Sequence, residues 1–290
     1  MAPPPRGGVV RPRCGSTLAV TVHDPIVAHA LLFVTGFLAG TINTVAGSGS
    51  LVTLPALMWS GLGARDANAT NRVGVLVQNV AAVASYWRAG VMPGVLLLRL
   101  AIPSVIGAVG GSLLAATVGQ RSMNVVIGAA MVFATLATLL YRPRKPRDEG
   151  NAKVAPEPVS TAEEPKRVER PPSAVAYVVL VGVGFYAGLV QVGLGLVILA
   201  VLPRLLDVDL VKANALKVGI VLVSQVIAIA VFTWHGQVDP VRAVALSAGS
   251  LIGGWLGARL AIDRGERFVR VVVVLAAVAG LIHVVLSLRG

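Results

Sequence analysis

Cysteine is nearly missing from this chain of 290 residues, where Cys14 stands alone. A single cysteine excludes an intrachain disulfide and a cage of thiolates around a metal, so redox chemistry is not expected. Charge is scarce as well: Asp, Glu, Lys and Arg make up 13% of the residues against 56% hydrophobic ones, too little polar surface to cover a soluble core of this size. Acid is scarcer than base. Outside 142–173 the acidic residues are Asp24, Asp66, Asp207, Asp209, Asp239, Asp263 and Glu266, all at the edges of apolar segments or in loops. No carboxylate is therefore placed to relay protons or bind sodium at mid-membrane. His23, His29, His235 and His283 are scattered without the spacing of a metal site or a catalytic pair. Neither an enzyme, a metal nor a cofactor is expected.

What is present is long apolar runs. They cover Ile26–Ser60, Asn68–Trp87, Val95–Thr117, Asn124–Tyr141, Ala174–Leu202, Val211–Trp234, Val241–Ile262 and Phe268–Ser287. Most have the ~20 residues a helix needs to cross a ~30 Å hydrocarbon core. With a mean hydropathy of +0.80, the chain reads as an all-α polytopic protein of the cell (plasma) membrane. Trp59, Tyr86, Trp87, Tyr141, Tyr177 and Trp234 fall at segment ends, where an aromatic belt at headgroup level is expected. The net charge of +12 has no dense basic stripe interleaved with aromatics, so nucleic acid is not expected. It is read as topology information and contact with anionic lipid.

The chain repeats itself. Gly36-Phe37-Leu38-Ala39-Gly40 returns as Gly184-Phe185-Tyr186-Ala187-Gly188, and Pro55 as Pro203, at a shift of 148 residues. Ala67-Asn68-Ala69 returns as Ala213-Asn214-Ala215, and Gly90, Ser104, Gly107 and Gly111 as Gly236, Ser250, Gly253 and Gly257, at a shift of 146. This divides the chain into a disordered tail (1–25), a first transmembrane repeat (26–141), a charged, proline-rich cytoplasmic linker (142–173) and a second repeat (174–290). The linker holds 14 charged residues and seven prolines in 32 positions, a composition that cannot fold alone. Basic clusters at both its edges place it in the cytoplasm.

Charge bias swaps between equivalent loops, which suggests that the second repeat is inverted relative to the first. Inversion needs an odd number of crossings per half. At 35 residues, Ile26–Ser60 would be ~52 Å as one helix, and Gly47-Ser48-Gly49-Ser50 interrupts it. A broken or re-entrant helix is expected there and, at Gly193-Leu194-Gly195, in the second half. The alternative is eight plain spans with a cytoplasmic N-terminus, favoured by Arg6, Arg11 and Arg13.

Two constellations could carry function. Backbone N–H groups and helix N-termini at the interruptions can hold an anion, with Asn43, Gly47, Ser48, Gly49, Ser50, Thr53, Gln191, Gly193 and Gly195 around them. Close helix packing is the competing reading, and it is preferred for the small-xxx-small glycines Gly36, Gly40, Gly107, Gly111, Gly184, Gly188, Gly253 and Gly257. The second set is Asn68, Thr70, Asn71, Arg72, Gln78 and Asn79, matched by Asn214, Lys217, Ser224 and Gln225. Polar groups inside apolar segments are costly in lipid and should face the protein interior or a cavity. Arg72 looks about one turn into its helix, so snorkelling to the interface stands equal with a functional role. Lys217 lies deeper and is the candidate counter-charge.

The stretches Gly40 to Pro55 and Ala67 to Arg72, with their counterparts Gly188 to Pro203 and Lys212 to Lys217, resemble the sulfite exporter TauE/SafE family of membrane permeases. Gly-Ser-Gly-Ser and Gly-Leu-Gly stand where that family commonly shows consecutive glycines. The resemblance implies a permease for small sulfur-containing or organic anions. The expected function is alternating-access transport of such an anion, with membrane lipid as the other partner and a homo-oligomer left open. The rivals are a membrane enzyme, for which no catalytic constellation is visible, and a non-transporting assembly or receptor subunit.

Overall fold

The structure, a computed structural model, describes residues 25–140, 173–206 and 208–287. The expected tail and nearly all of the linker lie outside these residues. Nine helices are found among them: α1 Pro25–Ala46, α2 Ser50–Trp59, α3 Ala64–Arg88, α4 Gly94–Thr117, α5 Gln120–Leu140, α6 Ala174–Leu189, α7 Leu194–Leu206, α8 Leu210–Trp234 and α9 Pro240–Ser287, which kinks at Gly265. Helix is the only open-ended element that can satisfy its own backbone in lipid, and uninterrupted apolar sequence lets it persist. Among the described residues, four spans are long and apolar enough to cross a membrane: Ile26–Ala46, Gly94–Thr117, Leu210–Trp234 and Pro240–Gly265. Helix starts carry local signals. Asp209 accepts the Lys212 N–H at 2.8 Å and Asp239 the Arg242 N–H at 2.9 Å, the latter with Pro240 at the first helical position.

Small residues set how the helices lie. Gly36 and Gly40 of α1 abut Leu246, Ser250 and Gly254 of α9, while Gly257 abuts Thr41 and Thr44. Contacts advance together along both chains, so α1 and α9 run parallel with backbones nearly touching. Gly107 and Gly111 of α4 abut Val181, Phe185 and Leu189 of α6 in the same manner. Gly74 meets Leu246 and Ser250, and Gly254 meets Gln78, which aligns α3 with α9. Helix α8 runs against α3, because Arg72 meets Gln225 while Tyr86 meets Asn214. Helix α4 begins just past the end of α3, and its far part rests on Gly188, whose carbonyl is held by Arg72 early in α3. Thus α1, α3 and the first part of α9 point one way, and α4, α6 and α8 the other.

Both leading segments are interrupted as the glycines suggest. After Ala46 the chain turns at Gly47 (φ 79°), and Gly49 comes to lie against the Ala39 carbonyl and the Asn43 Cβ, two turns back along α1. Helix α2 then returns. The Ser60 carbonyl beyond its end accepts from Arg242 at 2.8 Å, beside the start of α9 and hence level with the early part of α1. The first segment is therefore a helical hairpin broken at Gly47, not one continuous helix. In the second half the interruption falls at 190–193, with positive φ at Gln191 (62°) and Gly193 (69°); Gly195 already belongs to α7.

Two expectations need correction. Tyr86 is not in an aromatic belt: it is fully buried, and its hydroxyl accepts from Asn214 Nδ2 at 2.7 Å. Trp59, Trp87 and Trp234 are exposed, while Tyr141 lies outside the described residues. Helix α3 starts at Ala64, four residues before the apolar run, because Arg65 and Asp66 form a polar first turn ahead of it.

Candidate functional site

The two interruptions cross. A Cβ on Gly47 would land on the backbone of Gly195, and one on Gly195 on that of Gly47. Beside this crossing is a small, partly open cavity of about 10 Å³, room for about one water molecule, lined by Asn43, Gly47, Asn79, Gln191, Leu194, Gly195, Lys217 and Val221. Leu194 and Gly195 open α7; the Leu194 N–H donates to the Gln191 carbonyl and the Leu196 N–H to the Gly193 carbonyl, both at 3.1 Å, which leaves the Gly195 N–H, without an acceptor inside the helix, at the cavity wall.

Lys217 is 2% exposed, and its Nζ donates to the Asn43 carbonyl at 3.1 Å and the Thr44 carbonyl at 2.8 Å. These are among the last carbonyls of α1, so the ammonium caps a helix C-terminus from another helix, α8, an arrangement worth up to ~2 kcal/mol where solvent is excluded. An ammonium has three protons, and the third is not used within the protein. No carboxylate pairs with Lys217: the ion pairs among the described residues are Arg65–Asp66, Lys212–Asp209 and Arg242–Asp239, all partly exposed.

Arg72 makes the reciprocal arrangement at the other interruption. Its guanidinium donates to the Ala187 carbonyl and, at 2.9 Å, to the Gly188 carbonyl, both in the last turn of α6. Gln191 Oε1 at 3.2 Å, Gln225 Oε1 at 3.4 Å and Asn68 Oδ1 at 3.5 Å are further acceptors, Phe232 lies under it at 5.5 Å, and its Nε is left without a partner. Asn68 Nδ2 adds a bond to the Leu189 carbonyl at 3.1 Å. Arg72 is wholly buried. The snorkelling alternative is overturned: because α3 begins four residues early, Arg72 sits two turns into the helix and is consumed by acceptors of α6 and α8.

Of the residues singled out from sequence, Asn43, Gly47, Asn79, Gln191, Gly195 and Lys217 come together around the cavity. The others take places in the surrounding frame. Asn71 Nδ2 donates to Ser50 Oγ at 3.3 Å, tying α3 to the start of α2. Gly49 N–H donates to Asn43 Oδ1 at 3.3 Å, and Thr70 Oγ1 accepts the Asp239 N–H at 3.0 Å. Asn214 is bound to Tyr86, Gln225 to Arg72, and Gly193 packs on Ala134. Ser48 Oγ, Thr53 Oγ1, Gln78 Nε2, Asn79 Nδ2 and Gln225 Nε2 are buried without partners. Asn79 is the one of these that lines the cavity. Sequence reasoning missed Leu194 and Val221, ordinary apolar residues in apolar runs, and Tyr86. The Gly63-Ala64-Arg65-Asp66 helix start would have placed Arg72 correctly.

A cavity between interrupted helices, holding an unpaired cation inside an apolar bundle, defines a multi-pass membrane protein with an internal polar site. The sequence profile of the sulfite exporter TauE/SafE family matches residues 32–283, and the chain belongs to that family, one of membrane transporters. Among similar proteins are probable membrane transporter protein ORF9 of Sinorhizobium sp., 28% identical over 86% of this chain and 89% of its own length, and a probable membrane transporter protein of Haemophilus influenzae, 27% identical over 85% and 90%. Probable membrane transporter protein YfcA of Escherichia coli K12 is 24% identical over 88% of each chain. No solved structure matches the chain.

Proposed function

We propose that this protein is a permease for a small anion, such as sulfite, a sulfonate or a related oxyanion, working by alternating access in the plasma membrane. The observation that carries this reading is the Lys217 ammonium at the edge of the cavity, with one proton uncommitted and no carboxylate in reach. A lysine at the centre of a lipid-embedded helix costs about 3 kcal/mol. Its two charge-assisted bonds to carbonyls offset that cost but leave its charge unneutralised, which an anion would do. The Gly195 N–H in the first turn of α7 and the unpartnered Asn79 Nδ2 are further donors of residues lining the same cavity.

Two inverted repeats, 26–141 and 174–290, would supply the moving parts. In support, α1 and α6, which carry the same sequence block, point in opposite directions, as do α3 and α8, and each leading helix packs on the other half: α1 on α9, α6 on α4. The crossing of Gly47 and Gly195 would be the pivot, and the charged linker would join the repeats on the cytoplasmic side. Membrane lipid would be the remaining partner. A non-transporting assembly subunit gives the uncompensated Lys217 no purpose.

The test is a thermal-shift screen of the purified full-length protein in detergent against sulfite, sulfate, thiosulfate, sulfoacetate and carboxylates. A ligand at a hundred times its Kd stabilises by about 2.7 kcal/mol, so a clear rise in melting temperature is expected for at least one sulfur oxyanion and is lost in Lys217→Ala. No shift with any of these anions contradicts the proposal.

A further inference from the structure

Resting on that reading, we propose that Arg72 is a positioning residue that makes the cavity selective for anions by pinning the Gln191 amide with its NH2 group turned inward. Arg72 is not among the cavity-lining residues, so its influence is exerted through Gln191, which both lines the cavity and accepts from Arg72 Nη1 at 3.2 Å. A guanidinium carries only donors. Whatever faces it must therefore be the amide oxygen, and the opposite end of the amide, Nε2, is left to the cavity without a partner of its own. The Gln191 backbone supports this: it holds φ 62°, a region a non-glycine residue enters only when its surroundings dictate it.

Arg72 is itself immobilised by the Ala187 and Gly188 carbonyls and by the oxygens of Asn68 and Gln225, so it has no freedom to let the amide turn. Asn43 obeys the same logic from the other interruption. Its Oδ1 accepts from the Gly49 N–H, which turns its own NH2 away from that bond. Lys217 spends two protons on α1 carbonyls and keeps one. Three of the four polar side chains lining the cavity, Asn43, Gln191 and Lys217, thus have their engaged ends fixed from behind and donors left over in front, and the fourth, Asn79, keeps its Nδ2 unpartnered. Such a wall rejects cations and favours solutes that only accept hydrogen bonds, because a buried polar group left unpaired by the wrong solute costs about 1–3 kcal/mol.

The test is sulfite affinity of the purified full-length protein, measured by titration calorimetry, for wild type, Arg72→Lys, Gln191→Ala, the double variant and Gln191→Glu. Gln191→Glu keeps an oxygen for Arg72, so its melting temperature stays at or above that of wild type, while an oxygen replaces the inward NH2 and the affinity falls at least tenfold. Arg72→Lys, with a point charge in place of the fork, lowers affinity by a similar factor. In the Gln191→Ala background it lowers affinity no further, because the residue through which it acts is gone. Losses that multiply in the double variant, or a Gln191→Glu protein that binds sulfite as tightly as wild type, overturn the assignment while leaving the permease reading intact. A wild-type protein that binds no anion overturns both. Should Arg72→Lys fail to fold, the Gln191→Glu result decides.

Discussion

Gly47 and Gly195 touch backbone to backbone, each occupying the space where the other would carry a Cβ. One belongs to the turn after α1 and the other to the first turn of α7, so the contact fixes where the two leading segments cross and thereby where the cavity lies. Gly47 also needs its positive φ of 79°, whereas Gly195 does not. Gly195→Ala therefore isolates the steric part. Forced overpacking of this kind costs about 1–3 kcal/mol, and the expected outcome is a melting temperature in detergent several degrees below wild type with anion flux lost. A variant as stable and as active as wild type would mean that the crossing is loose.

Tyr86→Phe separates frame from site. The hydroxyl is the partner of Asn214 Nδ2 at 2.7 Å, in a place where both residues are buried, so its removal strands a donor at a cost of about 1–3 kcal/mol. Since Tyr86 does not line the cavity, the variant should unfold at lower temperature, as scored by thermal melting, yet keep the wild-type KM for anion flux.

Asp239 gives a pH signature outside the membrane-spanning helices. Burial pushes its carboxyl up, but the Arg242 N–H and guanidinium outweigh that and hold it below the ordinary value of 3.8. A carboxyl depressed in the folded state contributes stability that is complete above its unfolded value and disappears as pH falls through the folded one. Asparagine can still cap α9, so Asp239→Asn removes only the charge, which pairs with Arg242 Nη1 at 2.6 Å and is worth about 0.3–1 kcal/mol. Melting curves should show the variant less stable at pH 7 and equal to wild type once the pH is well below 3.8. A gap that persists at low pH contradicts the assignment.

Much of the frame was legible in sequence because glycine has few uses inside an apolar segment. Gly47-Ser48-Gly49 interrupts a helix that would overshoot the bilayer, and close packing is the preferred reading of the small-xxx-small glycines; in such contacts Gly36, Gly107, Gly184 and Gly253 are found. The second interruption was placed two to three residues late because Gln191, a residue that rarely takes positive φ, opens it in concert with Gly193. Lys217 and Asn79 were legible as costly groups in need of a cavity. Arg72 was not, since the apolar run understated the length of α3, and its partners are backbone carbonyls of α6, more than a hundred residues away. Pattern along one segment carries no information about a helix end supplied by the other half.

The most direct test of the account is sulfite flux into liposomes containing the purified protein, compared between wild type and Lys217→Ala at equal reconstituted amounts. Rapid, saturable uptake by wild type, reduced at least a hundredfold in the variant, is the predicted result. Uptake that is the same with and without the lysine would contradict the claim that its unpaired ammonium receives the anion.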